Sequence, residues 1–438
     1  MSTSPELGPD ADVVELCAEL LRIDTSNYGD SSGPGERKAA EFVAARLAAA
    51  GLAPELFEAA PGRTSVVCRI AGSDPSLPGL VWHGHLDVVP AAAADWTVPP
   101  FAGEQRDGCL WGRGAVDMKD ADAMLLSVVA HWGRSGQQPR RDIVVVFFAD
   151  EEAGGKLGGH WMVDHHPEVF EGCTQAVGEV GGFSVTLRDD LRLYLIQTAE
   201  KGIEWLRATA TGTAGHGSLI NTDNAVTTLC TAVSRLGQHT FDVQITPTVR
   251  DFLAEVSALL GVKLSHDDPD KTLAALGTAA RAVGATLRDV ANPTVLTAGY
   301  KHNVIPGSAS ALIDGRYLPG RRDEFLAEVR TVLGPDITIE SLTSDIALEA
   351  DFSVALVDGM AAALRTEDPF AHPVPYMLSG GTDGKSLARL GIAHYGFVPL
   401  LLPPNLDFLA MFHGVDERVP VDALTFGARV LDRFLRAA

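Results

Sequence analysis

The sequence predicts an α/β protein with a mostly parallel sheet, interrupted by an inserted α+β domain of antiparallel sheet plus helices. Helical and strand-like patterns alternate from the N-terminus to about residue 198, as they do where helices flank a sheet. From about Ala199 the alternation gives way to strands and longer helical stretches, and after about Ala350 it resumes. Residues 1–198 and 346–438 therefore read as one domain and 199–345 as an insertion in it. The 438-residue length agrees, because single cores stop growing at about 250–300 residues.

Each element has its own signal. Ala11 to Arg22 and Glu36 to Ala50 carry helical periodicity, the second stopping at Gly51. Strand-like runs follow at Thr64–Ile70 and Leu80–Trp82, then an irregular loop from Pro90 to Phe101, a length that usually serves function. Met118 to Trp132 reads as an apolar helix, Ile143–Phe148 as a doubly buried strand and Gly158 to His165 as a short helix. Strands recur at Ala176–Val180, Leu193–Thr198 and Ile203–Thr211. The insertion holds a helical stretch through 225–290 that includes Ala225–Leu236 and Val249–Leu260. Strands Thr294–Ala298 and Ser308–Tyr317, helix Arg321–Leu333 and strand Ile337–Leu342 follow. Helices Phe352–Leu364 and Val421–Leu435 and strand Ile392–Phe397 complete the first domain, and no internal repeat is present.

Composition narrows the function classes. Apolar residues make up 46% and charged residues 21%, as in well-packed globular proteins. A formal net charge of −22 argues against nucleic acid and against anionic membrane surfaces, which select basic patches. The N-terminus lacks a basic and then apolar leader, and no apolar run reaches the roughly 18 residues of a membrane span. Cys17, Cys68, Cys109, Cys173 and Cys230 are scattered and odd in number, which favours small core hydrophobes over disulfides or thiolate zinc sites and points to the cytoplasm.

The chemistry-bearing residues gather at strand ends and loops, where an open α/β sheet places its ligands. In Trp82-His83-Gly84-His85-Leu86-Asp87, His85 and Asp87 are two apart and project to one side of an extended chain. The pair fits a metal-bound imidazole held by a carboxylate, or simply a polar loop after a buried strand. Asp117 follows Gly112-Arg113-Gly114 and starts a helix, as a ligand or as an ordinary N-cap. Asp150-Glu151-Glu152 crowds three carboxylates at the mouth of an apolar strand, a costly arrangement without a compensating cation. Glu179 repeats that pattern after the next strand, and His413 supplies a second imidazole. Two imidazoles with three carboxylates can hold two metals if Asp117 bridges them; the mixed ligation suits zinc, with cobalt and manganese as replacements.

HGHLDVVP, GRGAVDMKD, DEEAGG, GEVGG, TAGHGS, HNVIP, SGGTDG and HGVDE stand in an order that resembles one family over nearly the whole chain. It is that of the dinuclear zinc amidohydrolases, including aminoacylase, acetylornithine deacetylase, succinyl-diaminopimelate desuccinylase, carnosine dipeptidase and bacterial glutamate carboxypeptidase. The resemblance implies a catalytic domain and an inserted lid or dimerisation domain. It implies His85 and Glu179 on one zinc, Glu152 and His413 on the other, Asp117 between them, Asp87 orienting His85 and Glu151 as general base. From the insertion, His216 would stabilise the oxyanion, in cis or from the partner of a homodimer. Asn303 and Arg316 would hold a substrate carboxylate, with a surface ion pair to Asp314 as the plain alternative for Arg316. Gly380, Gly381 and Thr382 would line the substrate, although Thr382 or Asp383 could equally cap the helix Lys385–Leu390.

The implied reaction is hydrolysis of an amide next to a free α-carboxylate, in a dipeptide, a carboxy-terminal residue or an N-acyl amino acid. A non-catalytic metal-binding or regulatory protein on the same fold is the alternative, but none of the implied ligands and no base is missing. Esterase chemistry lacks a Gly-x-Ser-x-Gly elbow. The insertion is long for the family, and no second cationic residue aligns for a succinyl group. The apolar run Val398 to Phe412 leads straight into His413; Phe408, Met411 or Phe412 would wall a substrate pocket there, or else pack against other protein.

Overall fold

The computed structural model describes residues 8–30, 32–262, 264, 271, 272, 274 and 283–438. The chain divides into two compact units, one of residues 1–198, 350–376 and 382–438, the other of 199–349 with 377–381.

The first unit is built on strands that are apolar because both of their faces are covered. Gly79–His85 and Ile143–Phe148 are buried at every position, as parallel strands between helices are. Gly79–His85 lies parallel to Ile143–Phe148 on one side and to Cys173–Gly178 on the other, and Ala393–Gly396 extends the parallel run. Outside this centre the sheet turns antiparallel. Arg63–Ile70 runs against Ile143–Phe148 and forms a hairpin with Glu55–Ala60, while Leu191–Glu200 borders Ala393–Gly396. The expected parallel sheet is thus confined to four central strands; the tight turn at Pro61-Gly62 leaves no length for a crossover.

Among the strands that escaped the sequence reading, two did so for different reasons. Glu55–Ala60 is largely exposed and has no strict apolar–polar alternation to announce it, and Ala371–Leu378 contains Pro373 and Pro375, which remove ladder donors. Helix Lys119–Ser135 is buried from Lys119 to Trp132, packed by helices Val13–Leu21, Arg37–Ala49 and Val421–Ala437. A Cβ at Gly133 would come within 2.4 Å of the Ala50 carbonyl oxygen, so this crossing requires glycine. The helix ends on Gly136 in the left-handed conformation, φ 69°.

The second unit carries a four-stranded antiparallel sheet in the order Val290–Ala298, Ser308–Tyr317, Gly202–Thr211, Ile337–Asp345. Buried and less buried positions alternate along Gly202–Thr211, because one face is covered. Helices Ala225–Gln238 and Arg322–Leu333 cover it, with Leu206, Ala208, Leu229, Ile313 and Phe325 in the core. The Asn224 side chain caps the first of these helices by accepting from the N–H groups of Val226 and Thr227. Of the helical stretch expected through 225–290, Ala225–Gln238 and Pro247–Leu260 are helices, and most of 263–282 lies outside the described residues.

A candidate metal centre at the strand ends

The parallel strands of the first unit all end on the same side, and the chemistry follows from what comes next along each. His85 closes Gly79–His85, Glu151 and Glu152 lie just past Ile143–Phe148, and Glu179 directly follows Cys173–Gly178. His85 Nε2 is 3.2 Å from Asp117 Oδ1, 3.4 Å from Glu179 Oε2 and 3.9 Å from Glu151 Oε2. His85 Nδ1 lies 3.0 Å from the main-chain oxygen of Asp87 and 3.6 Å from its Oδ1. The ring is therefore oriented mainly by the carbonyl of Asp87, which leaves Nε2 facing the carboxylates.

The Asp87 carboxylate is used differently. Its Oδ1 accepts from the N–H of Glu151 at 3.1 Å and its Oδ2 from that of Glu152 at 3.0 Å, so it fixes the acidic turn. That turn begins at Asp150 with φ 66°, a left-handed conformation that persists only where neighbours hold it.

A small antiparallel sheet brings the late histidine to the early loop. Cys109–Trp111 pairs with Arg418–Pro420, which sets Glu417 against Gly112-Arg113-Gly114. The buried Glu417 carboxylate accepts from the N–H groups of Gly114 at 2.9 Å, Val116 at 2.7 Å and Asp117 at 3.1 Å. It also accepts from Arg113 Nη1 at 2.8 Å, while Arg113 Nη2 donates to the Gly414 carbonyl at 2.9 Å. Asp117 is thereby held beside His413, whose Nε2 is 3.3 Å from Asp117 Oδ2 and 3.1 Å from Glu152 Oε2. Glu417 lies inside the HGVDE segment but carries no functional signal of its own; its role is visible only once the loop it cradles is in place.

Two groups result, His85 with Asp117 and Glu179, and Asp117 with Glu152 and His413; within each, the ligand atoms lie within 4.8 Å of one another. Asp117 belongs to both, one oxygen toward each histidine. The electrostatics show a site short of positive charge. Burial by itself would drive the His85 imidazole down, but the charge of Glu179 and hydrogen bonds with Asp117, Asp87 and Glu179 hold it well up. Hydrogen bonds with Asp117 and Glu152 push His413 up to about 10. Burial, then the charge of Asp117, pushes Glu152 up to about 7, and burial with the charge of Glu179 pushes Glu151 well up. Asp117 goes the other way: burial opposes ionisation, but hydrogen bonds from His413 and His85 hold it well down. Two imidazoles and several carboxylates thus converge within a few ångströms, and this donor set fits divalent metals of intermediate softness.

A family model described as peptidase family M20/M25/M40 matches residues 81–437. The chain belongs to that family. As a member of peptidase family M20/M25/M40 it is a hydrolase acting on peptide or amide bonds. It is 27% identical over 390 residues to the N-fatty-acyl-amino acid synthase/hydrolase of Xenopus tropicalis, covering 83% of this chain and 73% of that one. It is 26% identical over 440 residues to aminoacylase-1 of Sus scrofa, covering 97% and 94%. Among solved structures, a family metallo-carboxypeptidase from Sulfolobus solfataricus superposes with a TM-score of 0.72 at 16% identity, covering 97% and 98%, which speaks for the fold.

The remaining residues expected at the site of this M20 member fall elsewhere in the chain. His216 is exposed in the second unit, on a two-residue strand paired with Val304–Ile305, its Nδ1 2.8 Å from Ser218 Oγ. Asn303 is close by, its carbonyl accepting from the Gly217 N–H at 2.9 Å. Arg316, in Ser308–Tyr317, makes the ion pair with Asp314, at 2.7 Å and 3.2 Å. Gly380 has no positive φ, and a Cβ there would make only ordinary contact with Leu378 at 3.7 Å, so nothing conformational demands glycine. Gly381 sits beside it in the loop before Thr382. The Thr382 hydroxyl accepts from the Gly384 N–H at 3.1 Å, just before the helix Gly384–Ala388, whose N-cap position is held by Asp383 without a side-chain capping hydrogen bond.

Proposed function

We propose that this chain is a two-metal amidohydrolase that cleaves an amide next to a free α-carboxylate, in a dipeptide, at a carboxy-terminal residue or in an N-acyl amino acid. The observation that carries the reading is the pair of three-residue ligand groups sharing Asp117. His85, Asp117 and Glu179 would hold one divalent cation, and Asp117, Glu152 and His413 the other. Zinc is the favoured metal, with cobalt or manganese able to replace it. Bound there, the cations would polarise the scissile carbonyl and lower the pKa of a shared water.

The other steps fall to the chain's own side chains. Glu151, its main chain fixed by Asp87, takes the proton of the attacking water and returns it to the leaving amine. Asp87 orients His85 and the acidic turn. His216 donates to the developing oxyanion, Asn303 and Arg316 receive the substrate carboxylate, and Gly380, Gly381 and Thr382 line its path. Residues 199–345 act as a lid and dimerisation domain. The edge strand Val290–Ala298 supports a homodimer, since it exposes Val295 and Leu296 on an unpaired edge among the described residues. Five free thiols support the cytoplasm as compartment. Among the described residues, no helix is long and apolar enough to cross a membrane.

Substrates with an apolar acyl group or side chain fit best. A narrow apolar cleft is walled by Phe183, Val398, Leu400, Phe408 and Phe412 next to Glu179. Met411 is buried but not in this wall. Asp120 also borders the cleft, and burial pushes its carboxyl well up, toward the neutral acid. The N-fatty-acyl-amino acid hydrolase among the relatives agrees with an apolar acyl group. The test is a panel of dipeptides, N-acyl amino acids and their amidated counterparts, assayed on zinc- and cobalt-loaded protein with metal content measured on the same preparation. Two metals per chain and hydrolysis of free-acid amides are expected; full metal with no turnover on any of them would overturn the reading.

A further inference from the structure

Behind the acidic turn, buried side chains converge on Asn27, which carries none of the roles assigned above. Its Nδ2 lies 2.9 Å from Asp87 Oδ2 and 3.1 Å from Asp150 Oδ1. Its Oδ1 accepts from Arg63 Nη2 at 3.1 Å and from the Gly29 N–H at 3.0 Å. Its own main-chain N–H donates to the Val88 carbonyl at 2.9 Å. Asn27 is 4% exposed, Asp87 0%, Asp150 5% and Arg63 5%.

The chemistry fixes which way the amide points. A guanidinium and a main-chain N–H can only donate, so the carbonyl oxygen must face them and the NH2 must face the carboxylates. An asparagine amide has two N–H donors and an oxygen with two lone pairs, and all four positions are used. Two buried carboxylates side by side repel, and a neutral group that donates to both offsets part of that cost without adding charge. Arg63, itself paired with the buried Glu36, anchors the Asn27 oxygen at the far end and also lies with its Nε 3.9 Å from Asp150 Oδ1, so Asp87 is the carboxylate that depends most on the amide. The near end is the pair of N–H groups, of Glu151 and Glu152, that donate to Asp87, while Asp150 Oδ2 accepts from the Leu157 N–H at 2.9 Å.

We propose that Asn27 is a positioning residue: its amide bridges Asp87 and Asp150 and so fixes the turn that presents Glu151 and Glu152. The consequence for catalysis rests on the function proposed above, but the consequence for the turn does not. Two readouts keep them apart. In metal-free protein, amide hydrogen exchange over residues 149–157 reports the turn directly. In cobalt-loaded protein, the visible absorption and the kcat against KM split report the site.

Three variants test the bridge. Asn27→Asp replaces a donor with a third carboxylate at constant size. Asn27→Leu keeps the volume and removes the donors. Asn27→Asp combined with Asp150→Asn conserves charge, restores one donor across the bridge and suits φ 66°, where asparagine is tolerated. For both single variants, exchange in 149–157 should be at least about tenfold faster, the cobalt absorption altered, and kcat lower by about 10–100-fold with KM little changed. The double variant should recover at least about tenfold of what Asn27→Asp loses; if the single variants do not fold, its exchange and cobalt absorption decide on their own. Wild-type exchange over 149–157 in Asn27→Leu, or a double variant no better than Asn27→Asp, would overturn the proposal. Faster exchange in a protein that hydrolyses none of the amides would support the bridge and reject the function.

Discussion

His85, Asp117, Glu152 and Glu179 stand in the first unit, tied by contacts that reach from 32 to 300 positions along the chain, whereas in the second His216 stands exposed on a two-residue strand and Asn303 in the turn before its partner strand. The Asp117 main chain is pinned by Glu417, and those of Glu151 and Glu152 by Asp87. Among the described residues, the His216 ring has only Ser218, two positions away, on its Nδ1. Preorganisation is worth most where charge develops in a buried site, because the cost of orienting dipoles has already been met during folding. In the proposed function the first set would do the chemistry, and the second would be free to respond to substrate.

The sharpest way to break this contrast is Glu151→Gln. It keeps the turn and both ligand groups but removes the base, so kcat should fall by about 10²–10⁴-fold with metal content unchanged. Turnover near wild type with full metal would remove Glu151 from the mechanism. His216→Ala comes next, with an expected loss of about 10²–10³-fold in kcat and little change in KM, as for a lost oxyanion donor. If KM rises while kcat holds, His216 binds substrate rather than the transition state.

Arg316→Ala should weaken free-acid substrates by about 10–100-fold in kcat/KM and spare amidated ones, the scale of a charge-assisted hydrogen bond. Equal losses for both would mean that its pairing with Asp314 is its whole role. Smaller again is the apolar cleft beside Glu179. Each added methylene in a graded acyl series should contribute about 0.8 kcal/mol, about fourfold in kcat/KM, until the cleft is full. A flat series would return Phe408 and Phe412 to packing.

The mildest test uses pH. His413, raised to about 10, and Glu152, raised to about 7, bind protons more tightly folded than unfolded. Each stabilises the metal-free protein fully below its unfolded pKa and loses that contribution as pH rises through its folded value. Asp117 is lowered, so its contribution is lost only as pH falls below its ordinary range. The Tm of metal-free protein should therefore decline from about pH 4.5 toward pH 10, and the rise in Tm on adding zinc should grow over the same range as protons cease to compete. Thermal unfolding with and without zinc across that range checks both signs.

The sequence alone determined the ingredients. Unbroken apolar runs such as Ile143–Phe148 announce buried strands, and carboxylates or histidines placed directly after them announce a ligand site, because both signals are local. For that reason His85, Glu152 and Glu179 stood out as candidates, whereas Asp117, after a Gly-x-Gly turn, and His413, a lone late histidine, gained weight only beside them. Largely exposed or proline-bearing strands such as Glu55–Ala60 and Ala371–Leu378 did not stand out, because neighbours rather than their own pattern make them strands. Tertiary structure decided the rest. Glu417 holds the N–H of Gly114 from 303 positions away, and Asn27 joins Asp87 and Asp150 across 60 and 123. A hydrogen bond depends on distances of a few tenths of an ångström and on which atoms face each other, and side-chain chemistry leaves that open until the chain has folded.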